Sequence, residues 1–149
     1  MVQQFAVLKR PSRRISRLMI VAATVVVAVL INLVIYAIGR AAGGTFRFAS
    51  PTGPAEVDAL TVVGFTIVPL LLGMTVVALL VRVWPWIVSV ALVVAPAFAL
   101  VTIPIMTLPA GFDVTSTITL ALCHAAMVPI VVFGLLALRS VAIESGGRL

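Results

Sequence analysis

A chain of 149 residues that is 63% hydrophobic and only 9% charged falls far outside the composition of soluble globular domains, so a water-soluble enzyme is excluded and one membrane domain is implied. The net charge of +6 is not a nucleic-acid signature, because five of the ten basic residues (Lys9, Arg10, Arg13, Arg14 and Arg17) precede the first apolar run, where lipid headgroups are the nearest anions. Cys123 is the single cysteine, which excludes an internal disulfide, a paired-thiol redox motif and a thiolate cluster for a metal.

Four runs carry no charged residue: 18–39, 59–81, 83–112 and 114–138. Each exceeds the roughly 20 apolar residues that a helix needs to cross about 30 Å of hydrocarbon at 1.5 Å per residue. The sequence therefore predicts an all-α fold: an integral membrane four-helix bundle with helices over about 18–39, 59–81, 84–108 and 114–138.

In chain order, the arm 1–17 reads as a topogenic signal whose five cations meet lipid headgroups. The first run is too long for the core of a signal peptide, and Ile38-Gly39-Arg40 is a poor cleavage site, so it is read as a retained helix. The loop 40–57 holds Gly43-Gly44, then Thr45-Phe46-Arg47-Phe48, then Ser50-Pro51-Thr52-Gly53-Pro54. Phe46-Arg47-Phe48 fits either a short strand or a segment lying on the membrane with both rings at headgroup depth; the second is preferred because aromatics concentrate there. Helix 2 has a start signal in Gly53 as N-cap, Pro54 at the first position and Glu56 near the positive dipole end. Trp84 and Trp86 flank Pro85 beside Arg82 and read as interface anchors. Pro96 and Pro104 predict kinks in helix 3, and Asp113 is a preferred N-cap for helix 4.

Helices alternate in direction, so the arm, the Arg82 turn and the tail 139–149 share one side with eight Lys and Arg (the five of the arm, Arg82, Arg139 and Arg148), against Arg40 and Arg47 on the other. The positive-inside rule then predicts an up-down-up-down bundle in the plasma membrane with both termini cytoplasmic. Because helices in lipid associate by close contact at small residues, Ala91, Ala95 and Ala99 of helix 3 are expected to meet Ala121 and Ala125 of helix 4. Gly64 and Gly73 of helix 2 would also permit close approach.

No Asp, Glu, Lys or Arg lies inside a span, which disfavours proton-coupled pumps and ion carriers that place an ionisable group at mid-membrane. His124 is the one titratable candidate at depth, about 15 Å from the outer end, with Asn32 about 10 Å below the same surface. Thr66 and Thr102 fall at nearly the depth of Asn32, and Thr117 lies above His124 on helix 4. These five form a candidate ligand-binding layer in which Asn32 and His124 could approach. The structural reading takes precedence over it, since Asn, His and Thr commonly bridge membrane helices.

The basic arm, the Ser-Pro-Thr-Gly-Pro turn and a last helix reading Thr117-Ile118-Thr119-Leu120-Ala121-Leu122-Cys123-His124 and closing with Arg139 resemble a small four-helix actinobacterial membrane family of unknown function, DUF6069. The resemblance covers nearly the whole chain and implies an integral membrane protein of a high-GC Gram-positive bacterium, in keeping with the Val/Ala-rich, Lys-poor composition. It marks His124 as a motif residue and transfers no mechanism.

The expected role is non-enzymatic: an accessory or assembly subunit that packs against other membrane proteins or against itself as a homo-oligomer. The alternative is a small transport or lipid- or ligand-binding module using the layer around Asn32 and His124. No nucleophile and base, carboxylate pair or metal set can be assembled at depth, so no enzyme and no cofactor are expected.

Overall fold

A computed structural model describes residues 16–51 and 53–146. Lys9, Arg10, Arg13 and Arg14, expected at lipid headgroups, lie outside the described residues. Four helices are long and apolar enough to cross a membrane: α1 over Arg17–Ala41, α2 over Ala59–Leu80, α3 over Ile87–Thr102 with a further wide turn over Ile103–Thr107, and α4 over Val114–Gly146. The fold is all-α, with one small hairpin between α1 and α2, formed by β1 (Arg47–Ser50) and β2 (Gly53–Glu56).

The caps set the boundaries. Ser16 accepts from the Met19 amide at 3.2 Å and starts α1. The start of α2 is not Gly53 and Pro54 but Asp58, whose Oδ1 accepts from the Thr61 amide at 2.7 Å and the Thr61 hydroxyl at 2.6 Å. Gly53 instead holds φ +119° beside the hairpin turn, a conformation open to glycine. The tandem Trp84-Pro85-Trp86 forms turns, so α3 starts only at Ile87. In α4 the helical path runs past Leu138 into the polar segment before Gly146, because no Pro or Gly interrupts it there.

Proline acts unevenly. Pro69, Pro96 and Pro129 sit within α-helical stretches of α2, α3 and α4. At Pro104, where the ring lacks an amide proton and crowds the carbonyl four residues back, the helix widens into a π turn. There the Leu108 amide donates to the Ile103 carbonyl, five residues earlier, at 3.0 Å.

The expected membrane-surface placement of Phe46-Arg47-Phe48 is overturned. Arg47 pairs with Glu56, Phe48 with Ala55 and Ser50 with Gly53 in an antiparallel register. Phe46, just before the strand, is fully buried. Folding the segment back buries its ring against Tyr36, Val62, Val57 and Leu120, a larger apolar gain than partial burial at headgroup depth.

The helices pack unequally. α1 lies extensively against both α2 and α4, and α3 lies against α4, while α2 meets α3 and α4 only sparsely. The main core fills the half of the bundle toward the Arg82 turn, with Ile20, Val21, Val25 and Ala28 of α1, Leu70, Met74 and Val77 of α2, Val88 of α3, and Val131, Leu135 and Leu138 of α4. Ala91 and Ala95 pack against this core; Ala99 and Ala121 are half-buried, and Ala125 is exposed. A side chain added at Gly64 or Gly73 would meet nothing within 4 Å, so neither marks a close approach. The close approaches lie at Gly39 against Thr119 and Gly134 against Thr24, both between α1 and α4.

A Cβ at Gly134 would fall 2.6 Å from the Thr24 Oγ1 and 3.0 Å from the Met74 Cε. Gly134→Val should therefore destabilise the protein by about 1–3 kcal/mol through overpacking, while Gly73→Val, facing open space, should be nearly neutral. Thermal unfolding in detergent reads the difference; equal stability of the two variants would contradict the close α1–α4 approach.

Candidate functional site

Two polar constellations stand out, one within the spans and one at the hairpin end. In the first, the buried Asn32 of α1 donates through Nδ2 to the Thr66 hydroxyl of α2 at 2.9 Å, and Thr66 donates on to the Val62 carbonyl at 2.7 Å. On α4 the buried Cys123 thiol lies 3.8 Å from the Asn32 carbonyl, which it meets as a weak donor. The next residue, His124, points about 100° further around the helix and meets α3, with Nδ1 2.9 Å from the Thr102 hydroxyl. Thr102 donates its single proton to the Ala99 carbonyl at 2.6 Å. That assigns Nδ1–H as the donor in the His124 pair and leaves Nε2 with its lone pair.

Asn32 and His124 are thus not partners. Consecutive residues of α4 face opposite neighbours, and Cys123 takes the α1-facing place. Together the two pairs cross all four helices, from Thr66 through Asn32 and Cys123 to His124 and Thr102. Thr117 stays outside, its hydroxyl 3.4 Å from the Phe112 carbonyl at the start of α4. The Asn32 Oδ1 is buried without a hydrogen-bond partner among the described residues. No three His, Cys, Asp or Glu among the described residues come close enough to share a metal ion.

The second constellation centres on Asp113. Its Oδ1 accepts from the Ser116 amide at 2.9 Å, and Oδ2 accepts from the Ser116 hydroxyl at 2.6 Å, the Thr45 hydroxyl at 2.7 Å and the Thr45 amide at 3.0 Å. Ser116 in turn accepts from the Phe46 amide at 2.8 Å. Phe46 itself holds φ +57° and packs against Tyr36 in a tilted contact with ring centroids 4.6 Å apart. The Tyr36 hydroxyl donates to the Val57 carbonyl at 3.1 Å. Gly44 is required here, because a Cβ would come within 2.8 Å of the Phe46 ring and 3.1 Å of the Ser116 hydroxyl. Above lies a shallow polar depression lined by Arg40, Gly43, Gly44, Thr45, Arg47 and Glu56. Arg40 donates to the Thr45 carbonyl at 3.1 Å and pairs with Glu56 at 2.8 Å, and Arg47 approaches the same carboxylate at 3.6 Å.

The Ser116 hydroxyl and amide, followed by the Thr45 hydroxyl, hold the Asp113 carboxyl well below the usual carboxylate range. Asp58 is lowered in the same way, first by the Thr61 hydroxyl and then by the Thr61 amide. Sequence reasoning reached Asp113 as a cap and missed Thr45 as its further client and Phe46 as the client of Ser116. The signal within reach was the Asp-x-x-Ser spacing, which brings Ser116 back onto the capping carboxylate; nothing local ties either to a residue 68 positions away.

Two outcomes follow from this geometry. A carboxyl whose folded pKa is depressed adds stability in full above its unfolded pKa of about 3.9 and loses it as pH falls through the folded value. Hydrogen exchange at the Thr45 and Phe46 amides, corrected for intrinsic rate, should therefore be constant from neutral pH down to about 5 and accelerate below about 4. Asp113→Asn should raise it at every pH and flatten the profile; unchanged exchange in that variant would dismiss Asp113 as the anchor. Within the spans, a double-mutant cycle of Asn32→Leu and Thr66→Val should give a coupling of about 0.6–1.7 kcal/mol in detergent unfolding, and additive effects would deny the bridge.

No curated protein and no solved structure matches this chain. The sequence model of one family matches residues 9–140, which takes in α1, the hairpin, α2, α3 and α4 as far as Ser140. The polar layer, the Asp113 anchor and the four apolar helices, save the last turns of α4, fall inside that match, and the chain belongs to the family of unknown function DUF6069.

Proposed function

We propose that this multi-pass protein is an up-down-up-down bundle of the plasma membrane with both termini cytoplasmic, acting without catalysis as an accessory or assembly subunit. In this reading it packs helix against helix with other membrane proteins or with a second copy of itself. Orientation rests on the sequence, where the segments 1–17 and 139–149 and the α2–α3 connection carry eight Lys and Arg against two in 40–57, and the Lys-poor composition supports an actinobacterial source.

The observation that carries the assembly role is the uneven enclosure of the helices. Val88 is the one buried residue of α3, and Val93, Phe98 and Ile105 are 70%, 63% and 66% exposed. Such a helix is held by one neighbour and offers most of its circumference to others, which in lipid engage it by van der Waals fit. The polar side chains at depth support the same role, since Thr66, Asn32, His124 and Thr102 are spent on bonds between or within helices. The alternative, a small transport or ligand-binding module, draws on the unpartnered Asn32 Oδ1.

Cysteine crosslinking in native membranes tests the assembly role. In a Cys123→Ser background, Phe98→Cys should give one discrete crosslinked product, and Val34→Cys on the exposed face of α1 should give none. Products from both positions would indicate random collision, and products from neither would leave the protein solitary; either result overturns the proposal.

A further inference from the structure

Between α2 and α3, floored by α4, runs a half-open cleft of about 220 Å³ lined by apolar residues, among them Gly73, Val77, Ala91, Ala95, Val131 and Leu135. A closed apolar cavity of about 150 Å³ suffices for a benzene ring, so the space is large enough for an occupant. Its α2 wall, from Pro69 to Val77, extends about 12 Å at 1.5 Å per residue. Even all the open space of about 540 Å³, spread over that length, gives a cross-section of roughly 45 Å². A partner helix about 10 Å across needs nearly twice that area, whereas one extended hydrocarbon chain fits.

Charge identifies what the chain is attached to. Val131 and Leu135 line the cleft, and Arg139 follows at the next four-residue step on the same face of α4, one turn beyond the cleft. Arg82 sits in the α2–α3 connection, five residues past Val77, and both arginines are exposed. Of the four acidic residues, Glu56, Asp58 and Asp113 lie at the opposite, hairpin end, and Glu144 follows in α4 five residues past Arg139. Arg17 is already engaged, donating to the Ala78 carbonyl at 3.5 Å. Trp84 and Trp86, 49% and 59% exposed, flank the same connection at the depth where indoles meet headgroups.

We propose that the α2–α3 cleft is a binding site for one anionic phospholipid, with an acyl chain lying along Gly73, Ala91 and Ala95 and the phosphodiester held by Arg82 and Arg139. The proposal goes beyond the assembly role above and does not rest on it: Phe98 stands one helical turn from the cleft-lining Val94 on the same stripe of α3, but the test reads bound lipid and does not pass through crosslinking.

Native mass spectrometry of the full chain, titrated with phosphatidylglycerol or phosphatidylcholine, reads the first lipid bound. Phosphatidylglycerol should be preferred in the wild type. Arg82→Gln and Arg139→Gln should each lower that preference about fivefold, the equivalent of about 1 kcal/mol per basic residue near the surface, while sparing phosphatidylcholine binding. Gly73→Leu, whose side chain enters open space, should reduce first-lipid occupancy for both headgroups; Val94→Trp fills the same cleft from the α3 side and serves if Gly73→Leu does not fold. Deleting residues 2–14, whose cations also meet headgroups, should weaken the binding of later phosphatidylglycerol molecules and keep the preference of the first. Wild-type occupancy in a folded cleft-filled variant would overturn the proposal. So would a preference that survives both arginine changes or vanishes with the arm, and so would loss of a dimer in place of a lipid on filling the cleft.

Discussion

Hydrocarbon offers no hydrogen bonds, so polar groups in the four spans take their partners within the protein, with the buried Asn32 Oδ1 as an exception among the described residues. That constraint accounts for the helices and for the behaviour of the side chains they carry. Thr24, Thr66 and Thr119 each turn the hydroxyl back to a carbonyl one turn earlier, at 2.8, 2.7 and 2.7 Å, so the hydroxyl proton is satisfied within its own helix. Asn32 and His124 cannot be satisfied within their own helices and reach across to threonines that already donate elsewhere and accept from them. At Pro104 the same constraint acts on the backbone, which widens by one residue and pairs the Ile103 carbonyl with Leu108.

The two ends of the bundle are held by different physics. Toward the Arg82 turn the contacts are apolar and non-directional, a core of valine, leucine and isoleucine that tolerates substitution of similar volume. Toward the hairpin the contacts are directional: Asp113 binds Thr45 and Ser116, Ser116 binds Phe46, and Tyr36 binds Val57. The charge-assisted bonds to Asp113 fix register, and the neutral bonds of Ser116 and Tyr36 extend them. They hold Phe46 at a positive φ that a bulky residue adopts only when its surroundings impose it.

How much of this was legible depended on whether the information was local. The spans could be read because charge-free runs of 22 residues or more have no other stable use, and Asp113 because a cap acts on its own helix. The hairpin was half legible: Ser50-Pro51-Thr52-Gly53 announced a turn, but four-residue strands carry little signal, and burial of Phe46 is decided by α1, α2 and α4 together. The polar candidates Asn32, Thr66, Thr102 and His124 were found by depth, which sequence position gives directly. Their pairing was not, because it depends on each helix's rotation about its axis, where one residue is worth about 100°. The glycines show the same limit: Gly64 and Gly73 read like Gly39 and Gly134, and only packing separates open faces from the α1–α4 contact.

Rotation also explains why the bundle is unevenly closed. Small residues permit close approach but do not compel it; in lipid, attraction between helices comes from fit and from bridging bonds. Bridges join α1 to α2 through Asn32 and Thr66, α1 to α4 through Cys123, and α3 to α4 through His124 and Thr102. None among the described residues joins α2 to α3. The facing Gly73, Ala91 and Ala95 are too short to fill the space, and Val131 and Leu135 of α4 close it only from beneath. A chain with its polar residues at these depths and rotations therefore aligns as α2, α1, α4, α3 and leaves its last pair apart. The cleft follows from where the hydrogen bonds were placed, not from a failure of the apolar core.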